Sequence, residues 1–386
     1  MMNFLTASTR EIDDPKVAVE EILSQLEIEK KLLTNSLGII NCFSEFIDTG
    51  VVKALCDALP FDCIGATSSL CATGNEIDQI MLIITVLTSD KVEFKTTKAQ
   101  INSQMGVNIT EAINGIFESS SQKPSLIFCN FPLNTSIGGD ILVSKLDEIT
   151  GGIPLFGTIA VDHNPNYTTA QTILNGIAYL DELVMGAVVG EIKMTFEIAS
   201  INKEKVRKQK GIITSSNNNI LMGVNNKTAL QYLEEIGLTR NDLLGNLGVI
   251  PFLIDHQNGA KPVTRGMYSL TPEGYAVCGG SMPQGASLSV GSLEPSDILS
   301  TTEYTLKKLL DDFEGLIISY SCIGRFYILT PNITDEAEKI KNIMNASPNY
   351  SFSNSGGEIC PLLDTNGNLK NYFHNFTNVF CKLSLI

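Results

Sequence analysis

Apolar positions along the chain fall into two periods, and these divide it into helices and strands before any chemistry is considered. From Pro15 to Leu33 the residues Val17, Val19, Ile22, Leu23, Leu26, Ile28, Leu32 and Leu33 recur mostly three or four apart, which predicts a helix with one buried face. Asp13 and Asp14 supply its cap, and Pro15 suits its first turn. Short unbroken apolar runs follow. Residues 37–43 (LGIINCF) predict a strand, 51–59 a short helix, 61–67 (FDCIGAT) a second strand and 80–87 (IMLIITVL) a third, with polar alternation on through Val92 and Phe94.

The same order then recurs. Residues 125–130 (SLIFCN) read as a strand, 140–149 as a helix, 153–161 (IPLFGTIAV) as a second strand, and 183–198 as a pair of strands broken near Gly190. Both second strands carry a glycine at their centre, in Ile64-Gly65-Ala66 and Phe156-Gly157-Thr158. Residues 99–117 predict a helix linking the two units. A third version closes the chain, with a strand at 315–321 (GLIISYS), a helix at 335–344 after the cap-like Thr334, and strands at 350–355 and 376–385. A βαββ unit used at least three times is therefore expected, because a short strand cannot cover both its faces and needs sister units to complete a sheet. The fold class that follows is α/β (α+β), with repeated βαββ units forming two mixed sheets flanked by helices, possibly as a four-layer αββα arrangement.

Residues 202–308 carry the weakest pattern. They hold a polar turn at 215–219 (SSNNN), a helix near 228–237, and short strands around 248–254, 264–270, 275–279 and 287–290, with a domain junction near 200–225.

Composition narrows the function classes. Hydrophobic residues make up 43% of the 386 and charged residues 18%, which fits a chain that buries a large core, with two lobes or fused domains expected at this length. No apolar run reaches the roughly 18–20 residues of a spanning helix, and the N-terminus lacks the basic start and apolar stretch of a secretion signal. A cytoplasmic address is expected. The net charge of −15 disfavours nucleic acid and anionic membrane as partners, since both are held by Lys and Arg; the run KEKVRKQK at 203–210 reads as an exposed connector. Nine cysteines without a C-x-x-C, beside three scattered histidines, point to buried thiols instead of disulfides or a metal site. Neither a phosphate-cradling P-loop nor a dinucleotide-binding glycine motif occurs, so no cofactor is expected.

The C-terminal third contains Ser319-Tyr320-Ser321-Cys322-Ile323-Gly324-Arg325, Ser355-Gly356-Gly357-Glu358-Ile359-Cys360-Pro361 and Phe373-His374-Asn375-Phe376-Thr377-Asn378-Val379. In that order and spacing they resemble the C-terminal half of the FIST family, named for F-box and intracellular signal transduction proteins. Pro251 to Leu253, Val263-Thr264-Arg265-Gly266 and Met282-Pro283-Gln284-Gly285 resemble the earlier strands and turn of the same domain. The N-terminal half is similar to its family counterpart in Ile64-Gly65-Ala66-Thr67-Ser68-Ser69 and Phe156-Gly157-Thr158-Ile159-Ala160-Val161-Asp162, although Leu70-Cys71 stands where the family has glycine and acid. The resemblance implies an N-terminal helix (1–34), a FIST N-type domain of two repeats (35–222) and a FIST C-type domain (223–386). It also implies a sensory module that binds a small ligand such as an amino acid. With no output domain attached, it would signal through a kinase or cyclic-dinucleotide enzyme in trans, or by its own oligomeric change, a homodimer being one option.

The candidate ligand site comprises Ser321, Cys322, Gly324, Arg325, Gly356, Gly357, Glu358, His374 and Asn375. Gly324 permits a turn, Arg325 offers a planar fork to a carboxylate, Gly356 and Gly357 bare their amides, and Glu358 could hold an ammonium. Alternatively Arg325 and Glu358 pair with each other, and His374 and Asn375 cap a turn. Cys322 with His374 as base would make a nucleophile, but a buried small residue is the expected role; Asp162 and His163 read as loop residues. Two other readings remain open. One is a hydrolase on an αββα scaffold, for which Thr6, Ser8 and Thr9 are poor processed nucleophiles because they precede a helix. The other is a scaffold that acts without ligand.

Overall fold

The computed structural model describes residues 2–133, 137–164, 166–238, 250–257, 259, 261–310, 314–344, 349–364 and 366–384. The repeat is present three times with one topology. Each unit has a first strand, helical cover, a second strand parallel to the first, a small hairpin, and a last strand antiparallel to the first. The first strands are Asn35–Cys42, Leu126–Phe131 and Gly315–Cys322. Their parallel partners are Asp62–Thr67, Leu155–Ile159 and Tyr350–Ser355, and their antiparallel partners are Leu82–Ser89, Glu182–Val189 and Asn378–Ser384. Helices Val51–Ala58, Gly139–Thr150 and Asp335–Met344 belong to units one, two and three respectively.

Each sheet is completed by its neighbours. An extra strand lies against the last strand of each unit: Met2–Thr9, Glu93–Gln100 and Lys193–Ala199. The hairpins are exchanged in a ring. The hairpin of unit two (Thr172–Leu174, Ile177–Tyr179) pairs with the second strand of unit one. That of unit three (Glu358–Leu363, Leu369–His374) pairs with unit two, and that of unit one (Cys71–Thr73, Glu76–Asp78) with unit three. All three six-stranded sheets consequently read edge strand, last, first, second, foreign hairpin.

Strand alternation sends one face of every sheet to its own helices and the other to a common centre. In unit one, Leu37 and Ile39 enter the central cluster while Ile40 and Cys42 pack under the helices. Phe128, Phe156 and Val184 enter that centre from the second sheet, and Ile318, Tyr320 and Val379 from the third. Phe156 stands 5.3 Å from Tyr320 and 6.5 Å from Phe128, tying two sheets through one ring.

A fourth, antiparallel sheet of seven strands interrupts this ring between units two and three. It runs Val206–Asn217, Ser287–Gly291, Ile250–Asp255, Val263–Leu270, Ala276–Cys278, Ile220–Val224 and Lys227–Thr228, and the pairing of Val206–Asn217 with Ile220–Val224 closes it into a barrel filled by its own apolar cluster. Strands on both sides of position 222 belong to this barrel.

The α/β class and the repeated βαββ unit are as the sequence implies, and the mixed sheets number three where two were expected. Several elements differ. The first helix stops at Leu26 because Glu27 adopts a left-handed conformation, and a single turn, Ile28–Lys31, follows. Met2–Thr9 is an edge strand, so Thr6, Ser8 and Thr9 lie in a strand, not merely ahead of a helix. The linking helix begins only at Met105: the Gln104 amide just ahead of it donates to Asn102 Oδ1 at 2.8 Å, and residues 93–100 stay extended. The strands on either side of Gly190 (φ 133°) do not pair with each other but enter different sheets. Pro295–Leu309 is a helix within the region of weakest pattern. Positions 248 and 249 of one expected strand, and 385 of another, lie outside the described residues.

The repeated glycine has a physical cause. A Cβ on Gly65 would come within 2.3 Å of the Ile40 carbonyl oxygen, and one on Gly157 within 1.8 Å of that of Cys129, so the first and second strands of units one and two approach closer than a side chain permits. Gly157→Ala is therefore expected to cost about 3 kcal/mol or more. Gly115→Ala, in open space on a helix, should gain up to about 1 kcal/mol. Urea unfolding midpoints check both, and equal midpoints would contradict the close-approach argument.

Candidate functional site

The strongest sequence candidate, Arg325, proves to be framework. It lies in the helix Ile323–Leu329 and is 0% exposed. Its guanidinium ion-pairs with Glu336 at 2.6 Å and donates to Thr302 Oγ1, the Ile298 carbonyl and the Phe376 carbonyl. Glu336 also accepts from Ser321, Thr302 and Asn378, and Arg325 holds its carboxyl below the ordinary range despite burial. Breaking such a buried pair leaves an uncompensated charge at a cost of about 3–5 kcal/mol. Gly324 is in the same helix instead of a turn, and a Cβ there would meet the Phe376 ring at 2.8 Å. Gly356 and Gly357 do not bare their amides: these donate to the Ile159 carbonyl (2.9 Å) and Ser355 Oγ (3.1 Å).

Glu358, expected beside Arg325, is wholly buried near Cys322. Its Oε2 accepts from Thr377 Oγ1 at 2.7 Å and its Oε1 has no partner. Burial pushes the carboxyl well up and raises the Cys322 thiol too. His374 Nε2 bonds the Cys360 carbonyl at 3.0 Å, and burial lowers its pKa to about 4. A suppressed thiol and an imidazole engaged elsewhere do not form the nucleophile pair considered from sequence. Asn375 is buried with neither side-chain polar atom partnered. Asp162 is a loop residue as expected, accepting from Asn164 and Thr169.

The chemistry that remains open lies at the seam between barrel and ring. In the Val263–Leu270 strand Arg265 shares a face with Val263 and Met267 of the barrel cluster, and its guanidinium reaches the Phe373 carbonyl on the hairpin of unit three. The following loop is pinned at each step: Cys278 N to the Asn219 carbonyl (2.9 Å), Gly279 N to that of Gly266 (2.8 Å), Met282 N to that of Asn218 (2.9 Å), and Ser281 N to Asp140 Oδ2 (3.0 Å). Asp140 sits in the first turn of Gly139–Thr150, a favourable place for a carboxylate, yet its Oδ1 is buried without a partner. Side chains are absent at Gly279 and Gly280 of necessity: a Cβ on the first would lie 2.8 Å from Asn375 Oδ1, on the second 2.6 Å from Arg265 Nε.

Two adjoining hollows flank this bridge, of about 500 Å³ and 380 Å³. The larger is lined by Asp140, Ser144, Lys145, His256, Arg265, Ser281, Lys370, Tyr372 and Phe373. Arg265 is 4% exposed and bonds only through Nη1, to the Thr264 carbonyl at 3.0 Å and the Phe373 carbonyl at 2.8 Å. Its Nε has no partner, and among the described residues no carboxylate pairs with it. Burial drives its pKa down, with Asp140 the chief opposing charge. Burial depresses His256, helped by Arg265 and Lys370 and opposed by Asp255 and Asp140, and Glu148 also lines the cleft.

A FIST N domain model matches residues 36–227 and a FIST C domain model residues 229–361. The chain belongs to the FIST family. FIST domains are sensory, ligand-binding modules. The boundary between the two matches falls within the barrel, so the FIST N and FIST C segments build that sheet jointly. Two solved structures of cyanuric acid hydrolases are distantly similar. One has 8% identity over 76% of this chain and 99% of its own, with a TM-score of 0.29. The other, from A. caulinodans, has 6% identity over 100% and 99%, with a TM-score of 0.39. At those values the likeness assigns no chemistry to this chain. No curated protein is significantly similar to it. All nine cysteines of this FIST protein are free thiols, and no described helix is long and apolar enough to cross a membrane.

Sequence reasoning passed over Arg265, Asp140 and Lys370. The available signal was an arginine between a β-branched run and a glycine in Val263-Thr264-Arg265-Gly266, followed by the side-chain-free pair Gly279-Gly280. Glu358 makes a separate prediction. Its folded value stands above the ordinary 4.5, so as pH rises past that value the unfolded chain releases a proton that the folded one keeps, and stability falls. Glu358→Gln is expected to be more stable than wild type at neutral pH, with the gap closing in acid. Urea midpoints over an acidic-to-neutral series check this, and a gap independent of pH would contradict it.

Proposed function

We propose that this chain is a sensory module that takes up one small polar metabolite, an amino acid or similar compound, in the cleft between the barrel and the start of the unit-two helix. The observation that carries the reading is Arg265, a buried guanidinium with an unpartnered Nε at the wall of a 500 Å³ cleft. Structures seldom keep a buried charge without a counter-charge unless something else supplies one. The size supports the same reading. Ligand sites commonly span about 300–1,000 Å³, and the cleft falls within that range.

Binding in preference to catalysis is favoured by the suppressed Cys322 thiol and the engaged His374. Signalling then requires the ligand to favour one of two arrangements. The seam supplies a route, because the loop at 279–283 belongs to the barrel while Asp140 belongs to the ring. The output is proposed to be a separately encoded kinase or cyclic-dinucleotide enzyme in the cytoplasm, reached directly or through a homodimer.

The test is a thermal-shift panel of amino acids, carboxylates and neutral polar metabolites on the full chain. One compound or a narrow group is expected to raise Tm with saturation. Ser144→Trp, which fills the cleft from an exposed position, should abolish the shift. A flat panel, or a shift that Ser144→Trp leaves intact, would overturn the reading.

A further inference from the structure

We infer that Cys56 and Cys63 form a redox-reactive thiol pair, which a hydroperoxide closes to a disulfide and a dithiol reopens. Neither residue lines the two hollows at the seam, so the pair stands apart from the ligand cleft. Local chain geometry brings the two together. Pro60 holds Leu59 extended (φ −91°, ψ 137°), which ends the helix Val51–Ala58, and only residues 59–61 separate that helix from the strand Asp62–Thr67. The last helical turn therefore folds back over the start of the strand. Cys56 stands on that turn, Cys63 is the second residue of the strand, and both belong to the packing between sheet and helices. Their side chains are in hydrogen-bond contact.

Neighbouring strands fix the pair on both sides. Cys63 Sγ lies over Gly38 of the adjacent first strand, where a Cβ would come within 2.6 Å of it. On the opposite side sits the Asn175-Gly176 turn of the hairpin exchanged from unit two. The Cys63 amide donates to Asn175 Oδ1 and the Cys63 carbonyl accepts from the Asn175 amide, each at 2.8 Å, and a Cβ on Gly176 would stand 3.2 Å from that of Cys56. Access then assigns the roles. Eight of the nine cysteines are buried and Cys56 is half-buried, so a hydroperoxide meets Cys56 first. Its sulfur takes the terminal hydroxyl, the O–O bond breaks, and the Cys56 proton leaves with the other oxygen as water or an alcohol. Cys63, held well above the ordinary thiol range by its contact with Cys56 and by burial, reacts as the thiol. Its sulfur displaces the hydroxyl from Cys56, and its proton departs with that hydroxyl as water. The two thiols lose two electrons and the hydroperoxide gains them. The resulting link ties the helix to the strand on which unit two's hairpin docks.

Peptide mass mapping of the reduced full chain, treated with limiting hydrogen peroxide and then denatured and alkylated, tests this. The expected product has lost two hydrogens, carries one cross-link between Cys56 and Cys63, and keeps the other seven of its nine thiols open to alkylation. Dithiothreitol should restore all nine. In Cys63→Ala the reaction should stop at a sulfenic acid on Cys56 that dimedone traps, and Cys56→Ala should lose the rapid peroxide reaction altogether. Peroxide that leaves wild type untouched, oxidises Cys56 without linking it to Cys63, or joins other cysteines would overturn the pairing, and each of these results is read on wild type, whether or not a variant folds.

Discussion

The structure depends on one shared apolar centre that no single repeat could build. Each βαββ unit has a helix-covered face and a bare face, and the bare faces of three sheets meet in a common cluster that includes Leu37, Phe128, Phe156, Ile318, Tyr320 and Val379. Burial at about 25 cal/mol per Å² makes that centre the main attraction between units. The exchange of hairpins fixes their order, because each second strand accepts main-chain bonds from the next unit along the chain or, for the third, from the first. Where the ring meets the barrel, the Ser281 amide of the barrel loop donates to Asp140 in the first turn of Gly139–Thr150.

Two buried arginines show how the same side chain serves different ends. Arg325 spends its guanidinium on Glu336, Thr302 and two carbonyls, and locks the third unit's helices to its sheet. Arg265 spends one nitrogen on two carbonyls and leaves its buried Nε without a partner at the wall of a cleft. Satisfaction of donors, more than burial or charge, separates framework from site.

The sequence made the repeat visible because local forces write it: apolar runs of strand length, helices between them, and glycines at 65 and 157 wherever neighbouring backbones crowd. The hairpin exchange was invisible, since strands of three residues such as Cys71–Thr73 leave almost no periodic signal and their partners are hundreds of positions away. Met2–Thr9 hid for a related reason, its Thr and Ser residues resembling a polar terminus until Leu82–Ser89 supplies the ladder. The site was only half legible. Cys322, Glu358 and Asn375 do gather, whereas Arg325 faces away from Glu358 toward Glu336, a partner eleven residues later whose orientation only the packed helix sets. Arg265 gives no local signal in Val263-Thr264-Arg265-Gly266, because nothing nearby in sequence says which nitrogens of an arginine will find partners.

If the seam between barrel and ring is where this FIST protein meets its ligand, hydrogen–deuterium exchange of the full chain, with and without a compound that shifts its melting, is the most direct measurement. The account predicts slowed exchange in residues 279–283 and the first turn of Gly139–Thr150, with Ile323–Leu329 and Asp335–Met344 unchanged. Protection confined to those last two helices, with none at the seam, would contradict it.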